Sequence, residues 1–526
     1  MTTELPDRGG PRQPSAASSR AVLLWLVFSG GVAVMGLEMS ASRLIAPYFG
    51  STLSVWTSLI GLVMIFLTAG YYIGGALADR YPSRNVLGIL VLVAGLIVIL
   101  VPLAGMPVLR AAWELTPKVG LLFGSLLGTF ALFAVPMALL GCVCPFAMKL
   151  SIQDLGRTGR TAGQVYAVSA IGSVVGTFLP ALVTIPTLGV RRSIMLFGCL
   201  LVLAALLLLA RARFLPAAGA GLLLALPLQP LLPTKGVIAV RESPYNYLQV
   251  VEAGPARLLV VDWGAFSKYT PGEFRTGEYF DYLLLAPLLR EAPPADWLGS
   301  VLVVGLGAGT VSKQITQAYG DIPIDGVEID PEIVSLGRQY FDMTEPNLRV
   351  SVTDGRAFLA GARRRYDWVI VDAYQGSDIP FHLVTLEFFE ALAGHMSPGG
   401  VLAINVAWWR PDDTVLLRRL VATVGAVFPR VWVITGISDQ SGAVLLAGGP
   451  DASPGNLPRN AAAVGHGGLS EIVQEVGSGE GPELAAVPGL GPPLTDDRAP
   501  IEEIADRMYR QARREAYSRE QDVLGR

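Results

Sequence analysis

Four carboxylates placed around a glycine-rich turn carry the chemistry this chain offers. In residues 301–330, VLVVGLGAGTVSKQITQAYGDIPIDGVEID, an apolar run is followed by Gly305, Gly307 and Gly309 at alternate positions. With no Cβ in the way, such a turn lets the backbone come close to a ligand. The residues after it have helical character, so their unpaired N–H groups are expected to face the same spot. Glu328 and Asp330 close the next apolar run. An acid there, roughly 20 residues after the glycines, can accept hydrogen bonds from both hydroxyls of a ribose. Alone, the glycines would be only a tight turn. With the acid behind them they read as a nucleoside-binding strand–turn–helix–strand unit. Asp354 and Asp372 each follow a further apolar run, LRVSV and YDWVIV.

These residues need a scaffold that brings strand ends together. Apolar runs at 301–304, one ending at 328–330, and runs at 348–352, 366–372 and 399–406 alternate with helical stretches, and 431–435 and 442–446 follow. That alternation predicts a doubly wound α/β domain of Rossmann type with a parallel sheet and a late antiparallel strand. Ligands in such sheets bind beyond the carboxyl ends of the strands, where Gly305, Glu328, Asp354 and Asp372 all fall. Residues 236–290 read as a small β region with three short strands, then a helix over YFDYLLLAPLL. Residues 291–450 form the nucleoside-binding domain. Residues 451–526 read as a loose Gly/Pro/Ala-rich segment followed by a charged helix over 502–520.

The first half has a different solvent. The chain has 526 residues, 52% of them hydrophobic and only 16% charged. Residues 1–20 read as a disordered tail rather than a signal peptide, because apolar segments follow in series. Those segments, at about 21–42, 55–78, 86–106, 120–146, 164–187, 192–211 and 214–232, approach the roughly 20 residues of a spanning helix. Residues 21–233 are therefore a multi-pass α-helical membrane domain of six or seven helices, with the bilayer as partner. Gly70, Gly74, Gly75, Gly172 and Gly176 suit close packing of helices in lipid. Lys and Arg concentrate before the first segment and in alternate loops, which predicts a cytoplasmic N-terminus. The seventh segment contains Pro216, Pro227 and Pro230, so it reads as broken, leaving six spans and a cytoplasmic catalytic half. Glu38 and Arg43 lie in the first segment, where ionisable groups are functional candidates.

Composition also excludes. The net charge is −3, so nucleic acid has no bulk electrostatic support as a partner. Cys142, Cys144 and Cys199 lie in apolar segments and form neither a disulfide framework nor a metal-ligand pattern. His382, His395 and His466 are too scattered to suggest a metal site.

Residues 301–406 resemble the catalytic domain of the spermidine synthases, the polyamine aminopropyltransferases, which share the fold of S-adenosylmethionine-dependent methyltransferases. The whole chain is similar to membrane-bound members with a transporter-like segment. The resemblance implies that Gly305, Gly307 and Gly309 form the nucleoside loop, Glu328 the ribose-binding acid, Asp354-Gly355 the adenine pair and Asp372 the proton acceptor. It further implies substrate contacts at Asn246, Tyr279, Asp281 and Tyr374. The chain departs from the family in the half that holds the cationic amine. Ala308 stands where the family has an aspartate, Phe280 replaces a histidine, Asn246 a glutamine, and Tyr374-Gln375 replaces a second acid, with Asp378 and Pro380 nearby.

The implied cosubstrate is decarboxylated S-adenosylmethionine, or S-adenosylmethionine itself, with no tightly bound cofactor. The implied partner is a small-molecule amine such as putrescine, and a homodimer is left open. Three readings stay open: aminopropyl transfer, methyl or other transfer from an S-adenosyl donor, and a transporter or sensor that binds a nucleoside. Ala308 favours the second and Glu38 the third.

Overall fold

The computed structural model describes residues 16–50, 53–119, 121–152, 158–209, 234–262, 264–374, 379–406, 414–437, 442–479, 481–501 and 503–504. Residues 1–15, the 214–232 segment, Gln375, Asp378 and the helix expected over 505–520 lie outside them. The chain divides into two compact units between Gln229 and Pro230.

In the first unit, six helices among the described residues are long and apolar enough to cross a membrane: Arg20–Phe49, Val55–Arg80, Arg84–Thr116, Leu122–Ser151, Thr158–Leu188 and Val190–Leu208. They agree with the first six segments read from the sequence. The first and fifth are held together by small residues. A Cβ on Gly172 would lie 2.3 Å from the Phe28 carbonyl oxygen, and one on Gly176 2.3 Å from that of Val32. Gly70 and Gly74 face backbone or Cβ atoms of the fourth helix in the same way, whereas Gly75 faces open space. Backbone approach of this kind replaces the hydrophobic drive that lipid removes. Arg191 is buried here, and its Nε and Nη2 donate to the Pro102 carbonyl oxygen at 3.2 and 2.7 Å. Glu38 is half-buried.

The second unit begins with a four-stranded antiparallel meander: β1 (Val237–Glu242), β2 (Tyr247–Ala253), β3 (Ala256–Val261) and β4 (Gly264–Tyr269). Three of these strands are legible in the sequence. The fourth, GAFSKY, has no clear alternation and was not expected. The helix expected over residues 279–289 is a short α-helix, Tyr279–Leu283, and a separate 3₁₀ turn, Ala286–Leu289. Pro287 at the start of that turn has no N–H to continue the helix.

Eight strands make the main sheet: β5 (Val301–Val304), β6 (Ile324–Glu328), β7 (Leu348–Val352), β8 (Tyr366–Val371), β9 (Met396–Val406), β10 (Arg430–Thr435), β11 (Ala443–Gly448) and β12 (Glu483–Ala485). Their order is β12-β10-β11-β9-β8-β5-β6-β7, parallel from β7 to β9 and antiparallel beyond. The chain winds outward from β5 in both directions, so the switch point lies between β5 and β8. Both faces are covered. Leu302, Val304, Val369 and Val371 pack into one core, while Val301, Val303, Trp368 and Ile370 pack into the other. That is the period of two expected of a strand buried on both sides.

The stretch after residue 451 is not loose, which corrects the compositional reading. It holds helices Leu457–Val464 and Gly467–Gly477 and strand β12. Leu457, Ala461, Leu469 and Ile472 are buried in the second core. The Pro and Gly residues act as punctuation. Pro458 lies in the first turn of one helix, Gly465 ends it with φ of 74°, and His466 caps the next by accepting the Leu469 N–H.

Candidate active site

At the switch point, the carboxyl ends of β5, β6 and β8 open into a cleft with about 1040 Å³ of space not filled by protein, open solvent included. A wall of it comes from the small sheet, through Asn246, Val261 and Phe266. Of the residues singled out in the sequence, Asn246, Tyr279, Gly305, Gly307, Glu328, Asp354, Gly355, Asp372 and Tyr374 line it. Gly309, Asp281 and Asp330 do not.

Gly305 and Gly355 show why small residues are needed. A Cβ on Gly305, whose φ is 86°, would lie 2.1 Å from the Asp372 carbonyl oxygen. One on Gly355 would lie 2.4 Å from Val304 Cγ1. Gly309 is required for packing instead, against Met343.

The loop amides are already spoken for. Gly305 and Leu306 donate to the Val327 carbonyl at 2.9 and 3.0 Å, and Gly309 to that of Leu306 at 3.2 Å. Gly307 donates to Glu328 Oε2 at 2.9 Å, and Ala308 to Ser267 Oγ at 2.9 Å. A phosphate cradle needs several such groups pointing at the ligand. Each loop amide from Gly305 to Gly309 has an acceptor within the protein. The loop shapes the cleft wall.

Glu328 is buried, and its Oε1 accepts the Asp330 N–H at 3.0 Å. Burial pushes its carboxyl up to about 7, against the lowering effect of the Asp330 and Gly307 amides. Asp354 caps the helix Gly355–Gly361 by accepting the Arg356 and Ala357 amides, and His382 Nε2 lies 2.9 Å from its Oδ2. Burial raises the Asp354 carboxyl, but the Ala357 amide and His382 outweigh it and hold it below the usual range.

Asp372 lies one residue past β8 with part of its surface on the cleft. Tyr279 Oη donates to its Oδ2 at 3.0 Å, and Asn405 Nδ2 to its Oδ1 at 2.8 Å. Burial pushes the carboxyl up to about 6, and the bonds from Asn405 and Tyr279 pull it back toward the ionised form. The Tyr279 phenol is driven well upward, by burial first and then by the Asp372 charge, so it stays a donor. Tyr374 Oη donates to the Asn405 carbonyl at 2.9 Å, and its ring meets Phe266 edge-on at 6.5 Å.

Two acids serve the scaffold. Asp281 is fully buried and accepts from Thr276 N and Oγ1, Gly277 N, Arg275 Nε and Gln314 Nε2. Those bonds fill its lone pairs and anchor the approach to Tyr279. Asp330 caps the helix Pro331–Tyr340 and accepts from Ser243 Oγ at 2.5 Å and Asn246 Nδ2 at 3.1 Å, which ties the turn after β1 to the main sheet. Ala308, in turn, packs with Leu248, Leu259 and Leu336 rather than facing the cleft.

His382 and Asn405 were missed. Nothing in the spacing of three scattered histidines marks His382. Asn405 had a usable signal, because it is a polar residue ending an apolar strand, the same pattern that singles out Asp372.

The carboxylates lining the cleft are Glu328, Asp354 and Asp372, with His382 beside Asp354 and neither Lys nor Arg among the described lining residues. Comparison with known proteins is consistent with this geometry. Residues 296–435 match the spermine/spermidine synthase domain model. Over those residues the chain is similar to the spermine and spermidine synthases. Its relatives include a probable polyamine aminopropyl transferase of Bifidobacterium longum, 38% identical over 190 residues, covering 36% of this chain and 41% of that protein. The polyamine aminopropyltransferase of Mycobacterium tuberculosis is 26% identical over 322 residues, covering 53% of this chain and 60% of that protein. An N-terminal histidine N-methyltransferase of Emericella nidulans is 33% identical over 172 residues, covering 31% of this chain and 30% of that protein. The chain thus spans less than two thirds of the length of each of these relatives. A solved probable spermidine synthase from Corynebacterium glutamicum is 22% identical with a TM-score of 0.38, covering 50% of this chain and all of that one. The matched stretch runs from β5 to β10 of the main sheet and contains Glu328, Asp354 and Asp372.

Proposed function

We propose that the second unit is an aminopropyltransferase, moving the aminopropyl group of decarboxylated S-adenosylmethionine to an amine such as putrescine, with Asp372 as proton acceptor. The observation that carries this reading is Asp372 itself, a carboxylate held by Tyr279 and Asn405 at the switch point of a cleft rich in carboxylates. The amine arrives as an ammonium and gives a proton to Asp372. Its lone pair then attacks the methylene carbon beside the sulfonium. The new N–C bond forms as the C–S bond breaks, and the electron pair leaves with sulfur as methylthioadenosine. Because a sulfonium departs readily, the protein's work is alignment and proton removal. Glu328 accepts from the ribose hydroxyls. Asn246, Tyr279 and Tyr374 flank the acceptor, while Gly305, Gly307 and Gly355 let the nucleoside approach the backbone.

Charge supports the decarboxylated donor. S-adenosylmethionine would bring a carboxylate into a cleft with no cationic side chain among its described residues, and an unpaired buried anion is costly. Methyl transfer is the second reading, raised by the N-methyltransferase relative. One experiment decides between them. The purified full chain is given each donor with putrescine, and the products are identified by mass spectrometry. Aminopropyl addition with release of methylthioadenosine, from the decarboxylated donor alone, is expected. Asp372→Asn is expected to lower kcat/KM near neutral pH by about 10²–10⁴-fold. Methyl addition, or an unchanged Asp372→Asn enzyme, would refute the assignment.

The chain is further proposed to be a multi-pass membrane protein with the catalytic unit in the cytoplasm. Support comes from the six apolar helices and from Lys and Arg in alternate loops.

A further inference from the structure

Asn405 enters the reaction so far only as a holder of Asp372, yet it makes the shortest hydrogen bond to that carboxylate. Strands β8 and β9 run parallel with Val371 opposite Ile404, so Asp372 and Asn405 follow as neighbours at the carboxyl end of the sheet. Asn405 is 4% exposed, and Val444 of β11 pairs with it on the other side. Its backbone carbonyl receives the Tyr374 hydroxyl, which fastens the segment after Asp372 back onto β9. Its Oδ1 is buried with no hydrogen-bond partner among the described residues. Orphan acceptors at such depth are rare and call for a reason. Here the reason lies in the carboxylate. An ionised Asp372 accepts only, so the amide must present Nδ2 to it and leave Oδ1 idle. Once Asp372 has taken a proton it becomes a donor, and a half-turn of the amide would offer that idle oxygen to it.

We infer that Asn405 is the positioning residue for Asp372, donating to the carboxylate before proton transfer and accepting from the carboxylic acid after it. This rests on the reading of Asp372 as proton acceptor. The other titratable groups on Asp372 are Tyr279, in direct contact, and Tyr374 behind it. Glu328, Asp354 and His382 face the same cleft.

The test uses the full chain in detergent, assayed with decarboxylated S-adenosylmethionine and putrescine from about pH 5 to about pH 9. In the unsubstituted protein the acid limb of kcat/KM lies near 6. In Asn405→Leu the limb moves up by about one pH unit, with about tenfold loss below it and recovery above it, while methylthioadenosine binding is retained. An equal loss at every pH with the limb unmoved would mean a merely structural role and would overturn the inference. Should Asn405→Leu lose nucleoside binding, Asn405→Ser carries the same test, since its short hydroxyl removes the amide donor. If the unsubstituted protein transfers nothing, the proposed function fails, and the inference is judged on the Asp372 carboxyl alone. Its titration, followed by infrared difference against Asp372→Asn, is then expected to shift upward in Asn405→Leu. An unshifted midpoint would overturn the inference.

Discussion

At Asp372, burial and hydrogen bonding pull in opposite directions. Burial raises the carboxyl to about 6, while Asn405 and Tyr279 favour its ionised form. A carboxyl that holds its proton more tightly folded than unfolded stabilises the fold fully below its unfolded value. That contribution is lost as pH rises through about 6. At pH 8 the native protein therefore tolerates a charge worth roughly 3 kcal/mol of lost stability. Asp372→Asn should raise the denaturation midpoint at pH 8 but not at pH 4, a difference that thermal unfolding in detergent would reveal. Glu328 works in the same window. Held at about 7, it is only partly ionised at neutral pH, and the protonated form gives up an acceptor for the ribose diol. Affinity for methylthioadenosine should fall as pH drops below 7, and Glu328→Gln should bind weakly with no such slope. Isothermal titration across this range checks both.

Strand β4 is the element that changes the meaning of the glycine loop. Ser267 accepts the Ala308 N–H, Lys268 N–H donates to Thr310 Oγ1, and the Thr310 hydroxyl donates to the Lys268 carbonyl. The strand is thus fastened along the loop and the start of the helix Thr310–Tyr319. Ser267 and Ala308 are both buried, so Ser267→Ala would leave an N–H without an acceptor. A loss of about 1–3 kcal/mol in stability is expected, with nucleoside affinity lowered as the loop loosens. Chemical denaturation and methylthioadenosine titration measure the two effects, and a neutral outcome would show that β4 does not brace the loop. At the far rim, Arg356 pairs with Asp496, and Asp496 accepts from the Thr385 hydroxyl. The stretch near residue 496 therefore steadies the segment that carries His382.

For the whole molecule, the number of membrane crossings decides on which side the chemistry happens. Six helices among the described residues are long enough, and an even number returns the chain to its starting side. A reporter fused after Arg241 should therefore give a cytoplasmic signal, with alkaline phosphatase silent and green fluorescence present. An external signal would require a further crossing and would remove the proposed access to a cytoplasmic nucleoside donor.

The local pattern of the chain was enough for most of its architecture, though not for β4 or for the helices after residue 451. Apolar runs of spanning length announced the membrane half, and short apolar strands ending in Glu328, Asp354 and Asp372 announced the α/β half, because burial and strand period are written into successive residues. Residue order also placed those acids at strand ends, which is why most of the cleft was legible. Tertiary structure alone decided what each polar group does. Asp281 and Asp330 look like ligand carboxylates in the sequence, yet donors from distant segments consume them as anchors. Ala308 looks like a missing acid, yet it packs beneath the small sheet. Asn405 and His382 matter only because folding sets them against Asp372 and Asp354, 33 and 28 residues away in the chain. Periodicity reports which face is buried, whereas the partner of a polar group is a matter of distance in space, which no local pattern records.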